Sequence, residues 1–305
     1  MTAKLSFFVI INPVSGNGKG KTIWKKIQDK LNTQFTIDFA FTTHPKHEIE
    51  LTKIAIKKGI TRFVIIGGDG TLNNFINGVF SQNTVDHSDI AFGIIPIGTG
   101  NDWVKTHHIS KNINKALQTI FDGQTDTQDV GCISYLDNPK SKKYFINLAG
   151  IGFDGKVVNI VKNDRALGKL TYILGALKGV FSFNLFDSKI TYDKDVLNLI
   201  DCFMIQIGVC KYTGSGMQLT KQPNPKDGLF DITIATAFTK WDIIRNLHKL
   251  FSGKITSHKK VNVFKTNALK ISFNKEQPFI QADGEQLKTG TIEVSIIPNG
   301  IRFYC

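Results

Sequence analysis

Cysteine is scarce and scattered: Cys132, Cys202, Cys210 and Cys305 form no C-x-x-C pair and no metal-ligand spacing. That argues against a disulfide scaffold or a zinc site and fits a reducing compartment. No stretch reaches the ~18 uncharged apolar residues of a membrane-spanning helix; the nearest, Leu167 to Phe186, contains Lys169 and Lys178. The early apolar run LSFFVII meets Asn12-Pro13 at once and lacks a small-residue cleavage site, so it reads as a buried strand rather than a signal peptide. Internal repeats, low-complexity linkers and a recognisable nucleic-acid recognition module are also missing, and no nucleic-acid partner is expected. Acidic residues are few against basic ones, giving a formal charge of +13. Between Lys240 and Lys275 eight Lys and Arg245 face only Asp242, a net of +8. Such a segment suits an anionic membrane surface or serves simply as a solvated face.

With 305 residues, 41% of them apolar, the chain is long enough for two domains. Residues 1–128 alternate apolar runs with helical patterns. FFVII (Phe7–Ile11), FTIDFAF (Phe35–Phe41), FVII (Phe63–Ile66) and IAFGII (Ile90–Ile95) read as strands of a parallel sheet, with amphipathic stretches such as EIELTKIAIKKG between them. Residues 129–305 change to short alternating runs, YFINLAGIGF, KITYD, DCFMIQIGVC, LFDITIATAF, KVNVFK, LKISF, FIQADGE and TIEVSIIP. These read as an antiparallel β-sandwich with turns at Asp227-Gly228 and Asp283-Gly284. Two helices interrupt it: Leu170–Phe181, striped by Leu170, Ile173, Leu174, Leu177 and Phe181, and Thr239–Phe251, opened by a capping box of Thr239 and Asp242.

Three loops leave strands at the carboxyl edge of the predicted parallel sheet, where ligands of open α/β folds bind. They are NPVSGNGKGK, GGDGTLN and GTGND. SGNGKGKT, from Ser15 to Thr22, nearly matches a P-loop, but Ser15 stands where the first Gly is required. Lys19, Gly20, Lys21 and Thr22 read instead as the basic start of a helix. Gly67, Gly68 and Gly70 let the backbone present N–H groups to phosphate, and Thr71-Leu72-Asn73 opens a helix whose N-terminus adds donors. Asp69 suits this setting if it holds or orients Mg²⁺. Taken alone GGDG is an ordinary tight turn; with GTGND at the next strand end, supplying Thr99 and Asp102, a phosphate site is the better reading.

GGDGTLN, PIGTGNDW, NLAGIGFDG, YTGSGMQL, PKDGLFDI and QADGEQL, in that order, resemble the diacylglycerol-kinase catalytic family, especially the small bacterial lipid kinases, with sphingosine and ceramide kinases as relatives. The resemblance runs from NPVSGNG to DGE. It implies an α/β nucleotide domain and a β-sandwich domain with ATP bound in the cleft between them, the last strand, about 292–305, returning to the first domain, and pairing into homodimers. It assigns Asn12, Thr42, Gly67, Gly68, Asp69, Gly70, Thr71, Leu72, Asn73 and Thr99 to ATP, with Ser15 and Gly16 closing one side. Asp69, Asp102 and Asp129 would surround the catalytic Mg²⁺. Asp227 with the carbonyls of Asn224 and Leu229 would hold a structural metal, where the residues alone allow a plain Asp-Gly turn. Glu285 becomes the general base. The chain departs from the family pattern at Trp103, Val104 and Lys105, where NDFAR is common, and at Ser215, where a third Gly is usual.

The implied activity is an ATP- and Mg²⁺-dependent lipid kinase acting on diacylglycerol or a related lipid, cytoplasmic, and peripherally bound to an anionic membrane. An NAD kinase shares the GGDG loop and the β-rich second domain, but DGE after FIQA and PKDGLFD fit lipid kinases better. A nucleotide-binding regulatory protein with little turnover is the alternative from a different class, and intact Asp69, Asp102 and Glu285 argue against it.

Overall fold

The computed structural model describes residues 4–161, 179, 183–274 and 277–305. The chain divides into one compact unit of Met1–Gln128 with Asn299–Cys305, and another of Asp129–Pro298. The stripe predicted on Leu170, Ile173, Leu174, Leu177 and Phe181 lies outside the described residues.

In the first unit β1 (Ser6–Ile11), β2 (Thr36–Phe41), β3 (Arg62–Gly67) and β4 (Ala91–Pro96) are parallel, in the order β2-β1-β3-β4. The two central strands and β4 are apolar on both faces, as a helix-covered parallel sheet requires. The helices are α1 (Gly20–Gln34), α2 (His47–Lys57), α3 (Asp69–Phe80), α4 (Asp102–Thr106) and α5 (Ile113–Asp122). α1 starts at Gly20, in agreement with the helical reading of GKT, and buries Ile23, Trp24, Ile27 and Leu31 at helical spacing. Asn112 caps α5 by accepting from the N–H groups of Asn114 and Lys115, and Gly123 at φ 70° ends it. This strand order reverses between β1 and β3. The crevice beyond their carboxyl ends is therefore the place where the fold leaves room for a ligand.

The second unit holds most of β5 (Thr125–Tyr135), with β6 (Lys142–Phe145), β7 (Leu148–Gly152), β8 (Phe186–Tyr192), β9 (Asp195–Gly208), β10 (Phe230–Thr236), β11 (Val261–Thr266), β12 (Ala268–Phe273), β13 (Ile280–Ala282) and β14 (Glu285–Leu287). Neighbours pair antiparallel: β14-β13-β7-β9, then β8 and β12 on one half of β9 and β10 and β11 on the other. A core of Phe145, Ile151, Phe186, Ile205, Ile207, Phe230, Ile232 and Ile271 fills the interior. The last strand, β15 (Ile292–Tyr304), pairs through Ile292–Ser295 with β12, while Arg302 and Phe303 lie parallel to β4 in the first unit.

Two departures from the sequence reading have local causes. YFINLAGIGF is not one strand, because the Asp283 carboxylate takes the N–H groups of Ile146 (2.8 Å), Asn147 (2.9 Å) and Leu148 (3.0 Å) and separates β6 from β7. The run then turns into a helix, α6 (Phe153–Val161). The helix predicted over Thr239–Phe251 is shorter: α7 (Lys240–Asn246) begins with the predicted capping box and tightens into a 3-10 turn at Leu247–Leu250.

Candidate functional site

The three strand-end loops of the first unit meet. A Cβ on Gly68 would lie 2.9 Å from the Gly98 α-carbon and one on Gly98 2.6 Å from the Gly68 α-carbon, so only paired glycines allow this approach. A Cβ on Gly16 would fall 2.5 Å from the Ile97 carbonyl oxygen, which brings the first loop against the third. Asp69 joins the second loop to the third: its carboxylate accepts from the N–H groups of Asp102 (3.0 Å) and Trp103 (3.2 Å) at the start of α4. Asn101 reaches this position in a left-handed conformation, φ 50°, and donates its amide to the Gly98 carbonyl at 2.7 Å. Asp102 is 4% exposed and accepts from Lys105 Nζ at 2.6 Å. The family's trailing positive charge, here Lys105, thus neutralises the buried acid one helical turn away.

Asn12 follows β1. Its Oδ1 accepts from the Val14 N–H at 3.1 Å, while its Nδ2 donates to Thr71 Oγ1 at 3.0 Å and to Glu48 Oε1 at 3.3 Å. Glu48 is 3% exposed, and burial pushes its carboxyl above the usual range. Thr42, 8% exposed, donates its N–H to the Ile11 carbonyl and lines a cleft of about 470 Å³ with Pro13, Lys21, Trp24, Lys25 and Phe41. Lys21 holds its ammonium 5.8 Å from the Phe41 ring centre, a cation over an aromatic face. Thr99 is exposed. Leu72 is different: its side chain is fully buried and its N–H is spent on the Gly68 carbonyl, so it anchors α3 in the core. Asn73, 1% exposed, likewise faces inward, accepting from Asn77 Nδ2 at 3.1 Å. Trp103 is buried among Phe92, His107 and Phe303, with its indole N–H on Gln128 Oε1 at 2.7 Å. That departure from the family pattern is therefore a packing change.

Asp129 belongs to the second unit, where its Oδ2 accepts from the Gly228 N–H at 2.7 Å and its own N–H bonds the Pro225 carbonyl. It buttresses the PNPKDG loop. In that loop Asp227 Oδ1 accepts from the Leu229 N–H at 3.1 Å and Oδ2 is paired with Lys265 Nζ at 2.7 Å. The Asn224 carbonyl accepts from the Asp227 N–H at 3.5 Å, and its side chain accepts from the Lys226 N–H at 3.1 Å. The loop thus gathers Asn224, Asp227 and Leu229, the residues expected around a structural metal, and the cation that faces Asp227 within it is the Lys265 ammonium.

Asp283 and Gly284, at φ 47° and 77°, form the two-residue hairpin turn expected of Asp-Gly between β13 and β14. This places Glu285 at the first position of β14, where its Oε2 pairs with Lys143 Nζ at 3.0 Å. Burial pushes the Asp283 carboxyl up against the opposing pull of its three N–H donors. Beneath α6 and α7 lies an apolar cavity of about 50 Å³, lined by Phe153, Val157, Met204, Phe238, Ile243 and Leu247 among others. One carboxyl, Asp154, stands in its wall. It accepts from Gln281 Nε2, and burial pushes it up to about 6 although hydrogen bonds from Gln281 and Gln206 pull it down. Gly150 makes the room, since a Cβ there would lie 2.0 Å from Asp154 Oδ2. Sequence reasoning missed Glu48, Lys143, Asp154 and the anchoring role of Asp283. Only the glycine beside Asp154 carried a signal.

The family model of the diacylglycerol kinase catalytic domain matches residues 6–133, and that of the YegS C-terminal NAD kinase beta sandwich-like domain matches residues 147–305. The chain belongs to this diacylglycerol kinase family of lipid kinases, phosphotransferases with an alcohol acceptor. Among its relatives, the "Probable lipid kinase YegS-like" of Shewanella frigidimarina is 30% identical over 88% of this chain and 84% of that protein. The "Diacylglycerol kinase" of Mycobacterium tuberculosis is 28% identical over 83% of this chain and 79% of its own. A diacylglycerol kinase structure from Bacillus anthracis has the same fold, with a TM-score of 0.74, 19% identity, and coverage of 100% of this chain and 97% of the other.

Proposed function

We propose that the protein is an ATP- and Mg²⁺-dependent kinase that transfers the γ-phosphate to the hydroxyl of diacylglycerol or a closely related lipid. The observation that carries this reading is the joining of two glycine loops through Asp69, which assembles backbone donors, Asp69 and Asp102 in one strand-end crevice. Two carboxylates beside phosphate-binding N–H groups are the chemistry that a Mg²⁺–ATP complex requires, and the ion arrives with the nucleotide as co-substrate. The N-terminus of α3 adds donors and a favourable dipole.

Glu285 takes the proton from the lipid hydroxyl as its oxygen attacks the γ-phosphorus and the bond to ADP breaks. Lys143 orients that carboxylate. The apolar cavity around Phe153 and Val157 receives part of the lipid's hydrocarbon, and α7 leads to it: Ile243 lines the cavity while Trp241, 68% exposed, and Ile244, 37% exposed, face outward. An exposed Trp and a basic segment suit peripheral binding to an anionic bilayer from the ATP-containing cytoplasmic side, each well-placed Lys contributing about 1 kcal/mol.

The test is γ-phosphate-labelled ATP incubated with mixed micelles of diacylglycerol, phosphatidylglycerol, a sphingoid base or an isoprenoid alcohol, and separately with NAD. Label in a lipid product, lost from the Glu285→Gln variant while ATP binding persists, is expected. Label in NAD alone would replace the lipid reading with a dinucleotide one. Full activity of Glu285→Gln would remove Glu285 as the base.

A further inference from the structure

Glu48 has no role in the reaction as described, yet it is a carboxylate buried to 3% exposure in the first turn of α2. Burying a carboxylate is costly, and an apolar side chain of similar size would pack without that cost. What Glu48 offers instead is two acceptor oxygens, both used. Oε1 accepts from Asn12 Nδ2 at 3.3 Å and Oε2 from Asn74 Nδ2 at 3.1 Å. Asn12 belongs to the first phosphate-side loop and Asn74 to the helix that GGDGT opens, so one carboxylate ties β1, α2 and α3 together. It also fixes the direction of the Asn12 amide. With Nδ2 held by Glu48 and by Thr71 Oγ1, Oδ1 is left for the Val14 N–H at 3.1 Å, which sets the turn into NPVSGNG.

We propose that Glu48 is a positioning residue for nucleotide binding: it locks Asn12 and the first turns of α3 so that the backbone donors of the first two loops face the phosphates together. This rests on the reading of the first unit as the ATP site. Glu48 touches no ligand itself. Its requirement is chemical as well as spatial, because a carboxamide has one acceptor oxygen and would set an NH₂ group against either Asn12 or Asn74. Moving the charge across the contact should restore the pattern. With Gln at 48 and Asp at 74, the Gln oxygen accepts from Asn12 and its NH₂ donates to the new carboxylate.

The experiment measures Mg²⁺–ATP binding by calorimetry, and the KM for ATP and kcat where turnover is found, on the wild type, Glu48→Gln, Asn74→Asp, the double variant and Thr52→Val. Thr52 is buried on the same helix and donates to the Glu48 backbone carbonyl at 2.6 Å, but lies outside the Asn12 contacts, so it controls for a general loosening of α2. Glu48→Gln is expected to weaken ATP binding by about tenfold, raising KM with kcat within about twofold, the size of a lost charged hydrogen bond. The double variant should recover most of the affinity, and Thr52→Val should bind as the wild type. Wild-type affinity in Glu48→Gln, or equal losses in Glu48→Gln and Thr52→Val that follow their melting temperatures, would overturn the proposal. A wild type that binds no ATP would instead overturn the nucleotide reading beneath it. Binding in the wild type without recovery in the double variant would defeat the acceptor-count argument, and with it the positioning role.

Discussion

Replacing Asp154 by Asn should make the protein more stable at neutral pH. Asp154 titrates at about 6 in the folded state against 3.8 in its ordinary setting, because burial in the apolar wall of the cavity disfavours its charged form. Between those values the folded chain holds a proton that the unfolded chain has released. Stability from this group is thus complete below 3.8 and is lost as pH rises through about 6. The difference of about two pH units, at about 1.4 kcal/mol each, amounts to about 3 kcal/mol lost by neutral pH. The Asp154→Asn side chain keeps an oxygen for Gln281, and its new N–H is accepted once the Gln206 amide, which now donates to Asp154, turns its unpartnered Oε1 toward it. Melting followed by calorimetry from pH 4 to 8 should show the wild type losing stability across this range relative to the Asp154→Asn variant, with near-equality at the acid end. At pH 7.5 the second unit of Asp154→Asn should melt higher by on the order of 5 °C. A lower melting temperature for the variant at pH 7.5 would refute the reasoning, since it would mean that the ionised form is the stabilised one.

Asp69→Ala should abolish phosphate transfer and also leave the N–H groups of Asp102 and Trp103 without their acceptor, costing about 1–3 kcal/mol; unchanged thermal stability by differential scanning fluorimetry would remove the bridging role. Gly98→Ala should separate the second and third loops, because its Cβ would meet the Gly68 backbone at 2.6 Å; ATP affinity equal to the wild type would show that their contact is dispensable. Lys265→Met should lower the melting temperature of the second unit by a few degrees, about 1 kcal/mol for a partly exposed pair, while EDTA leaves the wild type unchanged. A wild-type transition that falls in EDTA would show that a divalent ion displaces Lys265 from Asp227.

Much of the fold was legible because local rules and tertiary context agree. Phe7–Ile11 and Phe63–Ile66 are apolar on both faces in the sequence and are central parallel strands in the structure. Thr239 with Asp242 and Asp283 with Gly284 carry backbone chemistry that needs no distant partner. What escaped depends on contacts made over long separations. Glu48 reads as an acid favourably placed on a helix dipole, and only Asn12 and Asn74 reveal that it points inward. YFINLAGIGF reads as one strand because its interruption is made by Asp283, far along the chain. The following FDGKVVNIV is too short and too apolar for periodicity to separate helix from strand. Lys265 opposite Asp227 follows from the pairing of β10 with β11 and cannot be read from spacing.

The path of β15 orders events during synthesis. Phe303 packs against Phe92 and Trp103, and Tyr304 against Phe7, so the first unit is synthesised early but lacks part of its core until residues 299–305 have emerged. For the whole time the second unit is being translated, the first presents an incomplete apolar wall beside β4. A nascent chain halted anywhere before Asn299 therefore exposes the same sticky surface. Completion of the first unit is deferred until the second has been made.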